Sequence, residues 1–267
     1  MKSVRLKRLG GFTIVEVLVV LAISGALLAS SLALVANLQP EADFTQSMYD
    51  MKSKIENSIR GASNTNYPNT TQFDCIKSAN KPTLVSVIAP ATHEPGTNQD
   101  CIFLGKALAI PLNAGTLYIY SILGLRTDAS GNNITTYEAA TPTVANTSGF
   151  DLTETYSRNN TSIRLLSAKA DSYSGTRALA GFYGNLSKGS NTYGGQAGSS
   201  FYSKSYAYTS GNPQTCIQEP GSTCTPQQLN RWDLCFDDYS GKQKALLSII
   251  NSGAGATTVL RINQQCS

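Results

Sequence analysis

From Phe12 to Leu38 the chain runs through 27 residues broken only by Glu16, a few small polar residues and Gly25. About 20 apolar residues in a helix cross a bilayer core. This run therefore constrains the fold more than any other feature, because a helix that is apolar all round must meet lipid or other helices. A carboxylate at the centre of a lipid-embedded helix costs about 2.5–3.5 kcal/mol on insertion scales. Glu16 needs either a partner or a position near the headgroups.

In front of the run lie Lys2, Arg5, Lys7 and Arg8, with no acidic residue among them. Such a cluster predicts a cytoplasmic N-terminus and places everything after Leu38 outside. These are four of 21 basic side chains, and the rest balance the 17 acidic ones. Bulk charge thus gives no support to nucleic-acid binding. The competing reading is a cleavable secretory signal ending at Ala29-Ser30-Ser31, but the apolar region of such a signal spans only about 7–15 residues.

Helical patterning continues past the apolar run. Pro40 sits where a new helical stretch can begin, since proline is tolerated in a first turn. Phe44, Met48, Met51, Ile55 and Ile59 then recur at spacings of 4, 3, 4 and 4, which predicts one apolar stripe on an amphipathic helix. Gly61 is the expected stop. The first half has no polar face, whereas the second has one dry stripe that can dock on a globular domain.

Beyond a turn-rich linker, "GASNTNYPNTTQ", the pattern changes to short β-type runs at 83–88, 101–112, 115–123, 161–168, 178–184, 201–208, 244–250 and 257–263. The last two flank "NSGAGA", a hairpin loop. Short strands joined by Gly, Asn and Ser turns predict an antiparallel β domain with the dry stripe of the helix laid on a sheet. The fold class expected is α+β. Cysteines stand at positions 75, 101, 216, 224, 235 and 266, all beyond the apolar run. An even count in that position suits disulfides in an oxidising compartment, and six cysteines allow 15 connectivities. The absence of a C-x-x-C pair and the presence of one histidine argue against zinc.

The N-terminal residues support a more specific reading. "GGFTIVEVLVVLAISGALL" resembles the processing and assembly motif of type IV prepilins and type II secretion pseudopilins. It has a basic leader, a Gly11-Phe12 junction, a glutamate as the fifth residue after that junction, and about 20 apolar residues. The resemblance implies that a membrane-embedded prepilin peptidase cuts between Gly11 and Phe12 and methylates the new Phe12 amine. It implies passage from the lipid bilayer into a filament with other pilin or pseudopilin subunits, through an inner-membrane assembly machinery. Glu16 would then pair with the Phe12 amine of a neighbouring subunit. Many major pilins carry a proline in mid-segment, where this chain has Ala33, and that departure leans toward a minor pilin or pseudopilin. "CIFLGKAL" and "WDLCFDDYSGKQKALLSII…TTVLRI" are similar in pattern to H-type minor pseudopilin domains, which bears on fold class alone. The organisation expected is a leader over 1–11, a membrane and filament-core helix over 12–38, an amphipathic extension over 39–62 and an extracytoplasmic β-rich domain over 63–267.

Within that domain, proximity suggests Cys216 with Cys224 around a Pro-Gly turn and Cys75 with Cys101 around the first strand. The resemblance adds Cys235 with Cys266, stapling the C-terminal tail. Between Asp171 and Thr215 six tyrosines stand among Gly, Ser and Asn with few charges. That is the composition of adaptable recognition loops, so Tyr202, Tyr206 and Tyr208 are candidates for a binding face, with two tyrosine-rich strands as the structural alternative. His93, the sole histidine, lies in a turn without a nucleophile motif, and no P-loop, dinucleotide fingerprint or H-E-x-x-H is present. No catalytic residue, cofactor or metal site is expected. The chain is expected to be a structural subunit, the alternative being a membrane-anchored extracellular binding protein that never polymerises.

Overall fold

The computed structural model describes residues 13–63, 73–86, 101–137, 139–144, 153–157, 163–171, 173, 175–184, 202–208, 213–218, 224–252 and 255–266. Gly11, Phe12, His93 and residues 64–72 of the expected linker lie outside them. The chain divides into two units, Met1–Asp43 and Phe44–Ser267.

One helix, α1, covers Ile14–Ser63. Pro40 begins no new helix; the helix runs through it. Proline has no N–H to give, so the bond to the Ala36 carbonyl is missing while the backbone keeps its helical course. Gly61 does not stop the helix either. Its nearest foreign atom is Lys106 Cε, 3.7 Å from where a Cβ would sit, so nothing there forces a turn. In the first unit, the side chains from Ile14 to Leu32 are exposed all round.

The second unit contains thirteen strands among the described residues. They are β1 (Phe73–Ser78), β2 (Lys81–Ser86), β3 (Cys101–Ala109), β4 (Thr116–Leu125), β5 (Thr143–Val144), β6 (Thr153–Ser157) and β7 (Arg164–Ala170). Then follow β8 (Leu179–Tyr183), β9 (Tyr202–Tyr206), a short helix α2 (Pro213–Gln218), β10 (Pro226–Gln228), β11 (Arg231–Asp237), β12 (Lys244–Asn251) and β13 (Ala256–Ile262). β1 and β2 form a hairpin. A seven-stranded sheet runs in the order β10-β9-β8-β3-β4-β5, with β6 also on β4, and a four-stranded sheet runs β13-β12-β11-β7. Every strand pairing is antiparallel.

Backbone hydrogen bonds join the two sheets along β7. The Asn113 N–H donates to the Leu165 carbonyl at 2.8 Å, the Leu165 N–H to Ala114 at 2.9 Å and the Arg177 N–H to Ala168 at 2.9 Å. The predicted stripe of α1 closes the core. Phe44, Met48, Met51, Ile55 and Ile59 are buried in one cluster with Leu108, Ile119 and Phe182 of the larger sheet and Trp232, Leu234 and Leu247 of the smaller. Full burial of each such side chain contributes about 1.5–3 kcal/mol.

All eight expected strands form, with ends shifted by a few residues; residues 87–88 of the first lie outside the described set. Five strands and α2 were not expected from the sequence: β1, β5, β6, β10 and β11 carry charges, proline or polar residues, or are too short for a period to show, and α2 spans six residues. In β11, Trp232, Leu234 and Phe236 alternate with Asp233, Cys235 and Asp237. Asp237 is buried but receives Nε and Nη2 of Arg164 at 2.7 and 3.0 Å, a bidentate pair across two strands.

α1 is also tied to β13. Glu56 accepts a hydrogen bond from the Thr258 hydroxyl and sits between Lys52 at 3.2 Å and Arg60 at 3.7 Å. Burial by itself would raise the Glu56 pKa, but the Thr258 hydroxyl and Lys52 outweigh it and hold the group below the ordinary carboxylate range. A carboxylate lowered in the folded state stabilises above its unfolded pKa and loses that contribution as pH falls through the folded one. Because the group is partly solvated, the whole effect is roughly 1 kcal/mol or less. Wild type is therefore expected to melt slightly above Glu56→Gln at neutral pH, and the gap should close as pH drops below the carboxylate range. A gap that persists at low pH would rule out the ionised form as its source.

Candidate assembly site at the head of the helix

Thr13 and Glu16 close the first turn of α1 on themselves. Glu16 Oε2 accepts from the Thr13 backbone N–H at 2.9 Å and from the Thr13 hydroxyl at 3.0 Å. The Glu16 N–H donates to Thr13 Oγ1 at 3.3 Å. This reciprocal arrangement is a capping box, with Thr13 as N-cap and Glu16 three residues on; it satisfies two backbone donors that a helix start leaves open. The negative charge also faces the positive end of the helix dipole. T-x-x-E is legible in the sequence as this signature, although the sequence reading treats Glu16 as a charge in lipid and as a partner for the Phe12 amine of a neighbour rather than as a cap. A single chain thus already gives Glu16 a partner. Phe12, whose amine was the expected partner, lies outside the described residues.

Behind this cap, Ile14–Leu32 is a 19-residue apolar stretch, long enough to cross a membrane and with its side chains exposed. At about 1.5 Å per residue it spans roughly 28 Å, close to the thickness of a hydrocarbon core. Its exposure contrasts with the next part of the same helix, where the stripe from Phe44 to Ala62 is buried.

The six cysteines pair as Cys75–Cys101, Cys216–Cys224 and Cys235–Cys266, with Cα separations of 6.0, 5.1 and 5.8 Å. The first links β1 to the start of β3, the second ties α2 to the approach to β10, and the third holds the tail after β13 against β11. Closing a loop of 26 residues restricts the unfolded chain by about 3.5 kcal/mol in the chain-entropy model.

Tyr202, Tyr206 and Tyr208 do not form an open recognition face. Tyr206 and Tyr208 are buried and only Tyr202 is half-exposed. The reason is topological: β9 lies between β8 and β10, and its register sets Tyr202 opposite Tyr183 and Tyr206 opposite Leu179. The hydroxyls of Tyr183 and Tyr206 meet at 2.7 Å, and Tyr137 stacks on Tyr202 with ring centres 5.4 Å apart. Gly181 makes room, since a Cβ there would lie 2.7 Å from the Tyr183 hydroxyl. Burial, with Tyr206 beside it, pushes the Tyr183 hydroxyl well above the ordinary tyrosine range. Tyr183, Tyr202 and Tyr206 pack on one another and on Tyr137.

Comparison with known proteins bears on the head of the helix. A family model described as the prokaryotic N-terminal methylation motif matches residues 6–32, a span that includes Thr13, Glu16 and most of the exposed apolar surface. No curated protein and no solved structure matches the chain. The motif implies a precursor cleaved by prepilin peptidase and assembly with pilin subunits. A methylation motif heading a membrane-length apolar helix, with a β domain behind it, is the organisation of a type IV pilin-like protein.

Proposed function

We propose that the chain is a structural subunit, a minor pilin or pseudopilin, of a type IV pilus or type II secretion-like filament, and that it carries no enzymatic activity of its own. The observation that carries this reading is the division of labour along α1. From Ile14 to Leu32 the helix is apolar on every side and bare, while from Phe44 to Ala62 its stripe is consumed by the β domain. Lipid covers the bare part before assembly, with the N-terminus inside and the β domain outside, and neighbouring helices cover it afterwards. Cleavage at Gly11–Phe12 and N-methylation of Phe12 provide the amine that meets Glu16 of a neighbour. A buried pair of this kind gives little net stability, but a misaligned subunit would leave a charge unpaired at a cost of several kcal/mol, so it sets register.

The capping box favours a second reading, an anchored extracellular binding protein that stays monomeric, because Glu16 is already satisfied within its own chain. Glu16→Ala separates the two. A filament subunit should fall at least tenfold in sheared filament fractions, while a tether should keep its membrane level and its activity. Mass spectrometry of the mature N-terminus provides the independent check. The filament reading expects N-methyl-Phe12, and a chain beginning elsewhere would exclude it.

A further inference from the structure

β13 ends the four-stranded sheet, and no strand among the described residues pairs with its outer edge. Across the last hairpin the Ser252 N–H donates to the Gly255 carbonyl at 2.9 Å, and the Asn251 N–H turns the other way, to Asn230 beside β11, at 2.8 Å. Antiparallel ladders alternate, so Thr257, Val259 and Arg261 bond to β12 while the N–H and C=O of Thr258, Leu260 and Ile262 point away from it. None of these outward backbone groups has a hydrogen-bond partner among the described residues. The opposite edge, β7, is closed by residues 113, 114 and 177. β10 has three residues, one of them Pro226. By contrast β13, Ala-Thr-Thr-Val-Leu-Arg-Ile, has seven residues with no proline, lysine, acid or bulge. Proteins ordinarily blunt such an edge with those devices.

We propose that this edge receives an extended segment of a different polypeptide, which adds to the sheet beside β13 and sets a carboxylate against Arg261. The backbone supplies the hydrogen bonds, and side chains supply the selectivity. Thr258, Leu260 and Ile262 are half-buried on the helix side, so the added strand continues that layer with β-branched or apolar residues at alternate positions. On the outer side Arg261 is exposed and has no acidic partner among the described residues. A second copy of this chain paired antiparallel through its own β13 does not fit. Two β13 edges paired antiparallel are related by a two-fold axis normal to the sheet, which reverses every direction in its plane, including that of the helix packed on it. Copies whose helices run oppositely cannot enter one membrane or one bundle. That exclusion rests on the anchored reading given above.

The test places a photo-reactive benzoylphenylalanine at Val259, an exposed outer-face position, in the full chain in its own cells. Irradiation should give an adduct with a different polypeptide, and mass spectrometry should map it to an extended segment containing Asp or Glu. Leu260→Pro removes one outward N–H and fills the docking edge with a ring while keeping the bonds to β12, so it should lower the adduct at least tenfold. Arg261→Glu should lower it at least threefold. Intact disulfides and an unchanged unfolding midpoint certify the fold, with Thr258→Pro as the substitute should Leu260→Pro fail to fold. No adduct, an adduct with a second copy, or one indifferent to these substitutions overturns the proposal. The N-terminal mass of the same material reports separately on the processing reading.

Discussion

Trp232→Ala is expected to cost the folded β domain about 4–5 kcal/mol, the sum of an emptied aromatic site and a buried carbonyl left without its donor. Trp232 is fully buried in β11 and its ring lies 6.3 Å from that of Phe182, so it joins the core surfaces of the two sheets. Its indole N–H donates to the Arg177 carbonyl at 2.7 Å. Arg177 is itself buried, with its guanidinium on the carbonyls of Ser205 and Thr225 and 4.9 Å from the centre of the Tyr173 ring. Removing the indole therefore loosens a polar network as well as opening a cavity. Single domains are stable by about 5–15 kcal/mol, so the variant should be close to unfolding at growth temperature. Urea denaturation of the full chain in detergent measures the loss, and Trp232→Phe should recover roughly half of it by refilling the cavity without the donor. A loss below about 1.5 kcal/mol for Trp232→Ala would mean that the sheets do not depend on this ring.

Gly105→Ala should be comparably damaging although it adds one methyl group. Gly105 sits at the bulge where the β3–β4 register shifts, with φ at +154°, and a Cβ built there would lie 2.0 Å from the Phe182 carbonyl oxygen and 2.9 Å from Tyr183 Cα. Both are backbone atoms of β8, the strand hydrogen-bonded to it, so no side-chain rotation relieves the overlap. The β3–β8 pairing must open, and with it the centre of the larger sheet. A loss of about 3 kcal/mol or more is expected, in the range reserved for strain and overpacking. Gly25→Ala is the contrast: nothing lies within 4 Å of the added Cβ, and an alanine there favours the helix by roughly 1 kcal/mol. Melting curves of the two variants should move in opposite directions or differ by well over ten degrees. Equal effects would show that the close approach of β3 and β8 is not what Gly105 serves.

The residues reached by short-range reasoning and those reached only by folding divide along a physical line. Helix stripes and strand alternation are periodic in the chain, so the stripe from Phe44 to Ile59 and the eight apolar strands could be read directly. The N-terminal motif is likewise contiguous, and Thr13 with Glu16 needs only one helical turn to meet. β11 was hidden because its aspartates look like solvent residues until Arg164, 73 positions earlier, reaches Asp237. The tyrosines of β9 looked available because composition does not say that a strand will lie between two others.

By itself, the sequence determined that the chain has a membrane-length apolar helix with a processing motif at its head, an amphipathic continuation, and a β domain with cysteines in an even number. Periodicity, charge and contiguous motifs are properties of neighbours in the chain. Only the tertiary structure decided which of 15 cysteine pairings forms, which tyrosines are enclosed, why residue 105 must be glycine and that β13 meets no strand on its outer side among the described residues. Each of these depends on strand order and register, which bring together backbone and side chains that lie far apart along the chain.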